Sequence, residues 1–324
     1  MTQHPLLVSV IIPTYNREEL VQRAIQSVLN QTWQHIQLIV VDDGSTDRTQ
    51  EILKNVEGIE YICQANQGQG AARNRGLKEA RGTFIATLDS DDFWYPEFLE
   101  EQVTNIENHQ LDFGFVNWHQ DKHPEGTFDF LRSFYFIKRY HKHAASDNWI
   151  LIDYPVLRQL FTEACICPSS ALVFRRSSFP EKWNEDMNIA DDWFLLLEII
   201  MSKQVSVGFT FKPLWKKSIQ EDNICEGQSK AALLRKLYLQ DFDRIIKHFG
   251  PKFSTKEKNI FRREYLISML KLADHYFTKK HPGYWAKGAL LTAKAWSQNP
   301  KWSSVFYLRK FPNFQKKLNS VLYR

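Results

Sequence analysis

The sequence has few of the residues that build disulfide-rich, fibrous or disordered proteins. It contains 4 cysteines, 13 glycines and 12 prolines in 324 residues, too few for a disulfide scaffold or a low-complexity chain. No Cys-x-x-Cys pair is present, so the cysteines offer no framework for zinc. Cys165 and Cys167 stand too close for a usual bridge. We expect reduced thiols, as in a cytosolic protein.

Long apolar stretches are also missing, and we expect no secretory signal. The first apolar run, from Leu6 to Ile12, is short and contains Ser9. No Lys or Arg precedes it, as one would in a secretory signal. No run approaches the ~18 uninterrupted apolar residues of a membrane helix. We therefore expect a cytoplasmic protein that is soluble or peripheral on the cytoplasmic face of a membrane.

Charge is divided unevenly along the chain. Residues 225–324 hold 21 Lys and Arg against 6 Asp and Glu, whereas the preceding part holds 21 against 31. From His275 to the end there are ten Lys or Arg, eleven aromatic residues and no acidic residue. This segment is typical of contact with an anionic membrane, but helices that pack on an acidic catalytic domain explain it equally well. No nucleic-acid motif accompanies the charge, so nucleic acid is not an expected partner.

The first half of the chain alternates short apolar runs with segments of helical periodicity. Four apolar runs precede residue 89, and the first is predicted to end at Pro13. Apolar strands that alternate with helices predict an α/β fold with a parallel sheet covered on both faces. Ligands in such sheets bind at the carboxyl ends of the strands.

The second half is harder to divide. Residues 119–165 are rich in His and aromatic residues and indicate an insertion or an acceptor-side lid. From about Lys230 the pattern is helical. We therefore expect a catalytic domain over residues 1–225 and a basic, aromatic-rich helical region over residues 226–324.

Acidic residues directly follow two of the predicted strands. Asp42-Asp43 comes after the second apolar run, and Asp89-Ser90-Asp91-Asp92 after the fourth. Carboxylates one residue apart raise each other's pKa, and a hard divalent cation relieves that repulsion. Either turn alone is as well explained by a solvated turn or a helix cap. Two such turns at one edge of a sheet favour a binding site.

Two further polar segments open helices. In Asn66–Arg73 the backbone N–H groups and Arg73 can face phosphates. The segment matches a dinucleotide fingerprint only in part, because Arg73 stands where the third glycine belongs. Asp191-Asp192-Trp193 precedes an apolar run. Acidic residues there complement the helix dipole, and one of them can also act as a general base.

Taken in order, these segments resemble glycosyltransferase family 2, whose members have the GT-A fold and invert the anomeric centre. The resemblance is carried by Val8–Asn16, Gln31-Thr32, Val41–Asp47, Asn66–Gly68, Ala71–Asn74, Gly82, Asp89–Asp92 and Asp191–Trp193. It is tight over residues 6–118 and loose over residues 165–225. It implies a Rossmann-like mixed sheet with helices on both faces, followed by an α-helical C-terminal region.

The resemblance also implies the site residues. The donor nucleotide would be contacted by Pro13, Thr14, Tyr15, Asn16, Asp43, Arg73, Asp89 and Ser90. Asp89 and Asp91 would form the DXD motif, with Asp91 on Mn²⁺ or Mg²⁺ and Asp89 toward the ribose. Asp192 would be the catalytic base. Two positions depart from the family pattern, because Asp191 replaces Glu and Gln220 stands where a His is frequent.

The implied activity is transfer of a sugar from a nucleotide-diphosphate sugar, with a UDP-sugar favoured, to a hydroxyl of a glycan or lipid-linked acceptor, as in cell-envelope polysaccharide synthesis. Two other classes stay open. A nucleotidyltransferase or dinucleotide enzyme would need a glycine loop near the first strand, and residues 13–16 do not form one. A non-catalytic binder of polyanions or membranes would use the basic C-terminal region.

Overall fold

The computed structural model describes residues 6–122, 126–143, 148–218, 229–279, 281–301 and 303–304. The chain divides into two units. The first comprises Met1–Met187 and Asp191–Gln220, and the second comprises Asn188–Ala190 and Glu221–Arg324. Within the described ranges, every strand belongs to the first unit.

A mixed sheet forms the first unit. Its strands are β1 (Val8–Thr14), β2 (Ile36–Asp42), β3 (Glu60–Cys63), β4 (Phe84–Thr87), β5 (Phe93–Trp94), β6 (Phe113–Lys122), β7 (Gly126–Asp129), β8 (Ile150–Ile152), β9 (Leu172–Arg175) and β10 (Val207–Lys217). Their order is β3-β2-β1-β4-β9-β6-β10-β5, with β7 beside β6 and β8 beside β10. Strands β1 to β4 are parallel, whereas β9 is antiparallel to both β4 and β6. The predicted α/β fold with a mixed sheet is confirmed.

Helices follow most of the strands. They are α1 (Val21–Leu29), α2 (Thr49–Leu53), α3 (Gln69–Glu79), α4 (Phe98–Asn108), α5 (Phe130–Ser133), α6 (Tyr154–Glu163), α7 (Asp191–Ser202), α8 (Lys230–Leu233), α9 (Phe242–Phe249), α10 (Thr255–Phe277) and α11 (Pro282–Gln298). Short 3-10 segments lie at Tyr135–His143, Ser169–Ala171 and Arg176–Ser178, and a π-helical segment, Leu234–Asp241, joins α8 to α9.

Small residues bring helix α3 close to the sheet. Ala72 and Ala80 pack in one buried cluster with Ile11, Val41 and other sheet residues. Between them stands Gly76, where an added Cβ would lie 2.5 Å from Cγ2 of Ile11. Any larger residue must therefore push the helix away from β1. This close approach matters for the site because the next turn toward the N-terminus of α3 carries Arg73.

Helices α10 and α11 pack on each other in the second unit. Helix α10 begins at a capping box, in which Ser254 and Glu257 each accept a hydrogen bond from the other's backbone N–H. Ala295 of α11 is fully buried in a cluster with Leu266, Met269 and Leu270 of α10. None of the helices in the described part of the chain combines the length and apolar character needed to cross a membrane.

Candidate active site

The loops that follow β1 and β2 are bonded to each other. Asn16 Oδ1 accepts the Thr46 N–H at 2.8 Å, and the Asn16 N–H donates to Ser45 Oγ at 2.9 Å. Asn16 has φ +51°, a left-handed conformation that Asn adopts more readily than most residues. Tyr15 is 44% exposed. Its ring is therefore accessible to a ligand from the end of the sheet.

Three other predicted donor contacts lie deeper. Pro13 and Thr14 are buried at the end of β1, and Ser90 is buried in the turn after β4. The Thr14 hydroxyl has no hydrogen-bond partner within the described structure. None of these contacts with a nucleotide is tested by the structure, and they stay predictions.

Asp43 is buried, and both of its carboxylate oxygens accept hydrogen bonds from a neighbouring loop. Oδ1 accepts the side-chain amide of Gln64 at 2.8 Å and the Gln67 N–H at 2.9 Å, and Oδ2 accepts the Gly68 N–H at 2.7 Å. Asp43 therefore holds the loop that leads into α3. The following residue, Gly44, has φ +78°, and a Cβ there would lie 2.9 Å from the Asn66 nitrogen. Only glycine fits this turn without strain.

The turn after β4 concentrates negative charge. Burial, followed by the charge of Asp89, raises the pKa of Asp91 to about 6, and Arg17 opposes the shift from 3.8 Å. The pKa of the buried Asp92 is raised well above its usual value by burial and by the charges of Asp91 and Asp89. Asp92 accepts the Ser170 hydroxyl at 2.8 Å. The turn therefore binds positive charge favourably.

Arg73 is the centre of a guanidinium cluster that consists of Arg73, Asp89, Asp191 and Asp192. Its side chain is 1% exposed, and it bonds to Asp89 at 2.7 Å, to Asp191 in a shorter contact, and lies 3.5 Å from Asp192. Burial alone lowers the pKa of Arg73, but the three carboxylates outweigh it and raise the pKa. The arginine that was predicted beside the nucleotide thus joins the turn after β4 to the start of α7.

The two neighbouring aspartates of α7 have different environments. The Asp191 side chain is 3% exposed and accepts the Gln69 amide at 2.9 Å. Burial raises its pKa to about 7, although Arg73 opposes the shift. The Asp192 side chain is 17% exposed. It accepts the Ser169 N–H at 2.9 Å and a short bond from the Ser169 hydroxyl. Asp192 is therefore the more accessible of the two carboxylates, and Ser169 holds it in one orientation.

The donor set at the turn after β4 fits a hard divalent cation. Asp89 and Asp91 offer two carboxylates, and the pKa of Asp91 is raised first by burial and second by the charge of Asp89. Among the described residues, no group of three or more His, Cys, Asp and Glu side chains has a metal-binding arrangement. Mg²⁺ and related cations are commonly held by one or two carboxylates, with waters and substrate phosphates completing the shell.

The structure also adds residues that the sequence patterns did not single out. Ser169 orients Asp192, and Arg17 lies 3.8 Å from Asp91. The Arg23 guanidinium donates to the Asp91 carbonyl oxygen at 2.8 Å. Arg17 directly follows the strand-end loop and could have been found there, whereas no local pattern marks Ser169. Gln220 lies outside the described residues.

Solved glycosyltransferase structures share this fold. S. aureus TarS in complex with UDP-GlcNAc matches with a TM-score of 0.64 and 17% identity, over 94% of this chain and 85% of that chain. The mannosyltransferase PcManGT from Pyrobaculum calidifontis, in complex with GDP-Man and Mn²⁺, matches with a TM-score of 0.58 and 16% identity, over 95% of this chain and 85% of that chain. At these identities the likeness establishes the fold, and it confirms the GT-A type.

Bacterial relatives match by sequence over shorter stretches. The UDP-Glc:alpha-D-GlcNAc-diphosphoundecaprenol beta-1,3-glucosyltransferase WfaP of Escherichia coli is 37% identical over 119 residues, which are 36% of this chain and 47% of WfaP. The chain spans less than half the length of this relative, and about a fifth of the length of a Rickettsia conorii glycosyltransferase that is 42% identical over 116 residues.

A family model covers more of the chain than these pairwise matches. It describes glycosyl transferase family 2 and matches residues 9–182, more than half of the sequence. The matched stretch contains the turns after β1, β2 and β4, together with Arg73. By this match, the chain belongs to glycosyl transferase family 2.

Proposed function

We propose that the protein transfers a sugar from a nucleotide-diphosphate sugar to an acceptor hydroxyl, with inversion at the anomeric carbon. The observation that carries the proposal is the guanidinium cluster. Through Arg73 it joins Asp89 of the predicted donor site to Asp192, the predicted base. Catalysis is assigned to the predicted domain of residues 1–225, with 119–165 as its insertion or lid and 226–324 as a separate helical region.

The donor would lie along the carboxyl ends of β1, β2 and β4. Tyr15 offers an exposed ring for the nucleobase, and the loop held by Asp43 forms the neighbouring wall. Asp89 keeps a partly exposed carboxylate edge, which can accept hydrogen bonds from ribose hydroxyls. These residues fix the donor so that its sugar lies between the turn after β4 and the start of α7.

Mn²⁺ or Mg²⁺ would be held by Asp91 together with Asp89. When bound, such a cation stabilises the negative charge that grows on the leaving diphosphate. The protein contributes fixed positive charge nearby, since Arg17 lies beside Asp91. Asp91 and Arg17 would therefore orient the diphosphate and lower the energy of its departure.

Asp192 would remove the proton from the acceptor hydroxyl. That oxygen forms a bond to the anomeric carbon while the bond from the same carbon to the diphosphate oxygen breaks on the opposite face. The proton ends on Asp192, the electron pair leaves with the nucleoside diphosphate, and the configuration inverts. The hydrogen bond from the Ser169 N–H would keep the Asp192 carboxylate oriented toward the acceptor hydroxyl. General-base assistance of this kind contributes roughly 10²–10⁴ in rate.

Known relatives favour particular substrates without fixing them. WfaP is named for a UDP-glucose donor and a diphosphoundecaprenol-linked acceptor, and TarS is seen with UDP-GlcNAc. PcManGT is seen with GDP-Man and Mn²⁺. We infer a UDP-sugar donor, a glycan or lipid-linked acceptor and a role in polysaccharide synthesis for this chain.

The test begins with thermal shift across UDP-, GDP- and dTDP-sugars, each with Mn²⁺ or with EDTA. We expect one donor class to raise Tm only when Mn²⁺ is present. Calorimetry with the corresponding nucleoside diphosphate then measures the affinity, and the anomeric coupling of the transfer product by NMR reports inversion. A protein that binds no nucleotide or nucleotide sugar under any of these conditions would overturn the proposal.

A further inference from the structure

Helix α11 turns an apolar face away from the helix on which it packs. Its packed side carries Gly288 and Ala295, which are buried against α10. Helical geometry places six further apolar residues on the sides that do not pack on α10, from the flank at Trp285 to the far side at Leu290. They lie within an arc of about 140° that also contains Pro282 and one polar residue, Ser297. This outer face of α11 consists of Trp285, Ala286, Ala289, Leu290, Ala293 and Trp296.

Among the residues that the structure describes, the side chains of the outer face are exposed. Trp285 is 55% exposed, Leu290 71% and Trp296 39%. The three alanines of the face are exposed as well. Soluble proteins scatter single apolar residues over their surfaces, but a contiguous apolar strip with two tryptophans indicates an interaction site.

Basic residues border this face on one side. Lys287 and Lys294 are exposed and follow the arc along the same edge of the helix. No acidic residue occurs between His275 and the end of the sequence. A second copy of the chain would bring the same positive charge, so the charge pattern disfavours self-association. An apolar face bordered by lysines is instead complementary to a surface with negatively charged groups on the outside and an apolar layer beneath them.

We propose that the outer face of α11 binds the surface of an anionic lipid bilayer, with the helix lying in the plane of the headgroups. Trp285, Leu290 and Trp296 would enter the boundary between headgroups and acyl chains, where tryptophan is favoured. Lys287 and Lys294 would contact lipid phosphates. The binding is independent of sugar transfer and holds whatever the donor proves to be.

The test is co-sedimentation of the full chain with vesicles of phosphatidylcholine alone or with 30% phosphatidylglycerol, at low and high salt. We expect binding to the anionic vesicles, at least tenfold weaker binding to the neutral ones, and a loss of affinity as salt screens the lysines. The lipid composition is about 30% anionic in order to give a surface potential comparable to a cytoplasmic leaflet.

Two double variants separate the apolar from the basic contribution. Trp285→Ala with Leu290→Ala should weaken vesicle binding at least tenfold, whereas the matched control Leu151→Ala, at an exposed leucine of β8, should leave it unchanged. Lys287→Gln with Lys294→Gln should weaken it about 25-fold. That is about fivefold for each lysine, as a contribution of roughly 1 kcal/mol predicts. Lys54→Gln with Lys256→Gln is the matched control.

The four α11 side chains to be substituted are exposed, so circular dichroism should show that the variants stay folded. Trp285→Ala also removes a hydrogen bond from the indole N–H to the Lys279 carbonyl oxygen, so Leu290→Ala alone is measured beside the double variant. Three results would overturn the proposal. One is no binding of the wild type to anionic vesicles. Another is equal binding of the wild type and the Trp285/Leu290 double variant. The third is a dimer by light scattering that the same double variant converts to a monomer, since the face would then be an interface between two copies.

Discussion

The turns after β2 and after β4 carry the same kind of sequence, but their carboxylates are compensated differently. In the first turn, Asp43 accepts two backbone N–H groups and one side-chain amide, and Asp42 accepts the Ser45 N–H at 2.9 Å. In the second, Asp89 is paired with the Arg73 guanidinium, and Asp91 lies near Arg17. Neutral donors satisfy one turn, and cationic side chains compensate the other.

Because of this difference, we expect the first turn to have a structural role and the second to bind positive charge. Backbone N–H groups satisfy a carboxylate by fixing a loop around it, so the first turn shapes a wall of the site. Around the second turn, Asp89, Asp191 and Asp192 share one guanidinium, and burial raises the pKa of Asp91 to about 6. Negative charge remains in excess there. A bound cation or a proton therefore stabilises the second turn more than the first.

The largest effect is expected at the charged turn. Asp91→Asn should lower transfer by roughly 10³, because both the cation and the diphosphate lose their main anchor. Calorimetry should show that Mn²⁺ no longer strengthens UDP binding. The matched control is Asp186→Asn, at an exposed aspartate, which should behave as wild type. Unchanged Mn²⁺-dependent UDP binding in Asp91→Asn would remove this residue from the cation site.

A smaller loss is expected at the start of α7. Asp192→Asn should keep the donor Kd within about twofold and lower turnover by about 10² or more, because only proton removal is lost. Calorimetry with UDP and a UDP-release assay measure the two quantities. Asp191→Asn tests the choice between neighbours: an inactive Asp191→Asn beside an active Asp192→Asn would exchange their roles.

At the first turn the effect should be on stability. Asp43→Asn places an amide NH₂ against N–H donors and leaves at least one of them unsatisfied, so the free energy of unfolding should fall by about 1–3 kcal/mol. Urea unfolding measures it. The control Glu51→Gln removes an exposed ion pair with Arg48 and should change stability by less than about 0.5 kcal/mol. A fully stable Asp43→Asn would place its role in ligand binding alone.

The pH dependence of stability sharpens the same comparison. The pKa of Asp191 is about 7 in the folded protein against an ordinary value of 3.8. Between these values the folded state therefore holds a proton that the unfolded chain has lost. Stability from this group is present at low pH and is lost as pH rises toward 7.

Replacing Asp191 should remove this dependence of the unfolding free energy on pH. The unfolding free energy of wild type minus that of Asp191→Asn should fall by about 2 kcal/mol between pH 5 and pH 7, measured in urea with EDTA. A constant difference between wild type and Asp191→Asn over this range would contradict the raised pKa.

The strand ends could be predicted from sequence because apolar runs followed by acidic turns define them locally. The direction of β9 could not, since a buried apolar strand has the same pattern in either orientation. Pro13 was predicted to end the first strand, and this was wrong, because β1 continues to Thr14. β4 pairs with β1 only as far as Ile11 and Thr87, so an imide without N–H is tolerated at residue 13.

The guanidinium cluster was the part of the site least accessible to sequence reasoning. Arg73 and Asp191 are 118 positions apart, and nothing in either local pattern indicates that they pair. The arginine was expected near the nucleotide because it opens a helix after a glycine loop. Its near-complete burial depends on the tertiary packing of α3, which periodicity does not report.

The packing of α3 on β1 makes Gly76 important for the site, although glycine has no functional side chain. The residue touches no carboxylate and no predicted ligand, yet one methyl group there would collide with Ile11 and lift the helix that carries the arginine. In a mutational scan, position 76 should therefore behave like a site residue, intolerant even of alanine. Compensation should arise at position 11, where a smaller side chain restores the room. Tolerance to substitution in this domain thus depends partly on the space between α3 and β1, at positions that do not themselves contact the candidate site.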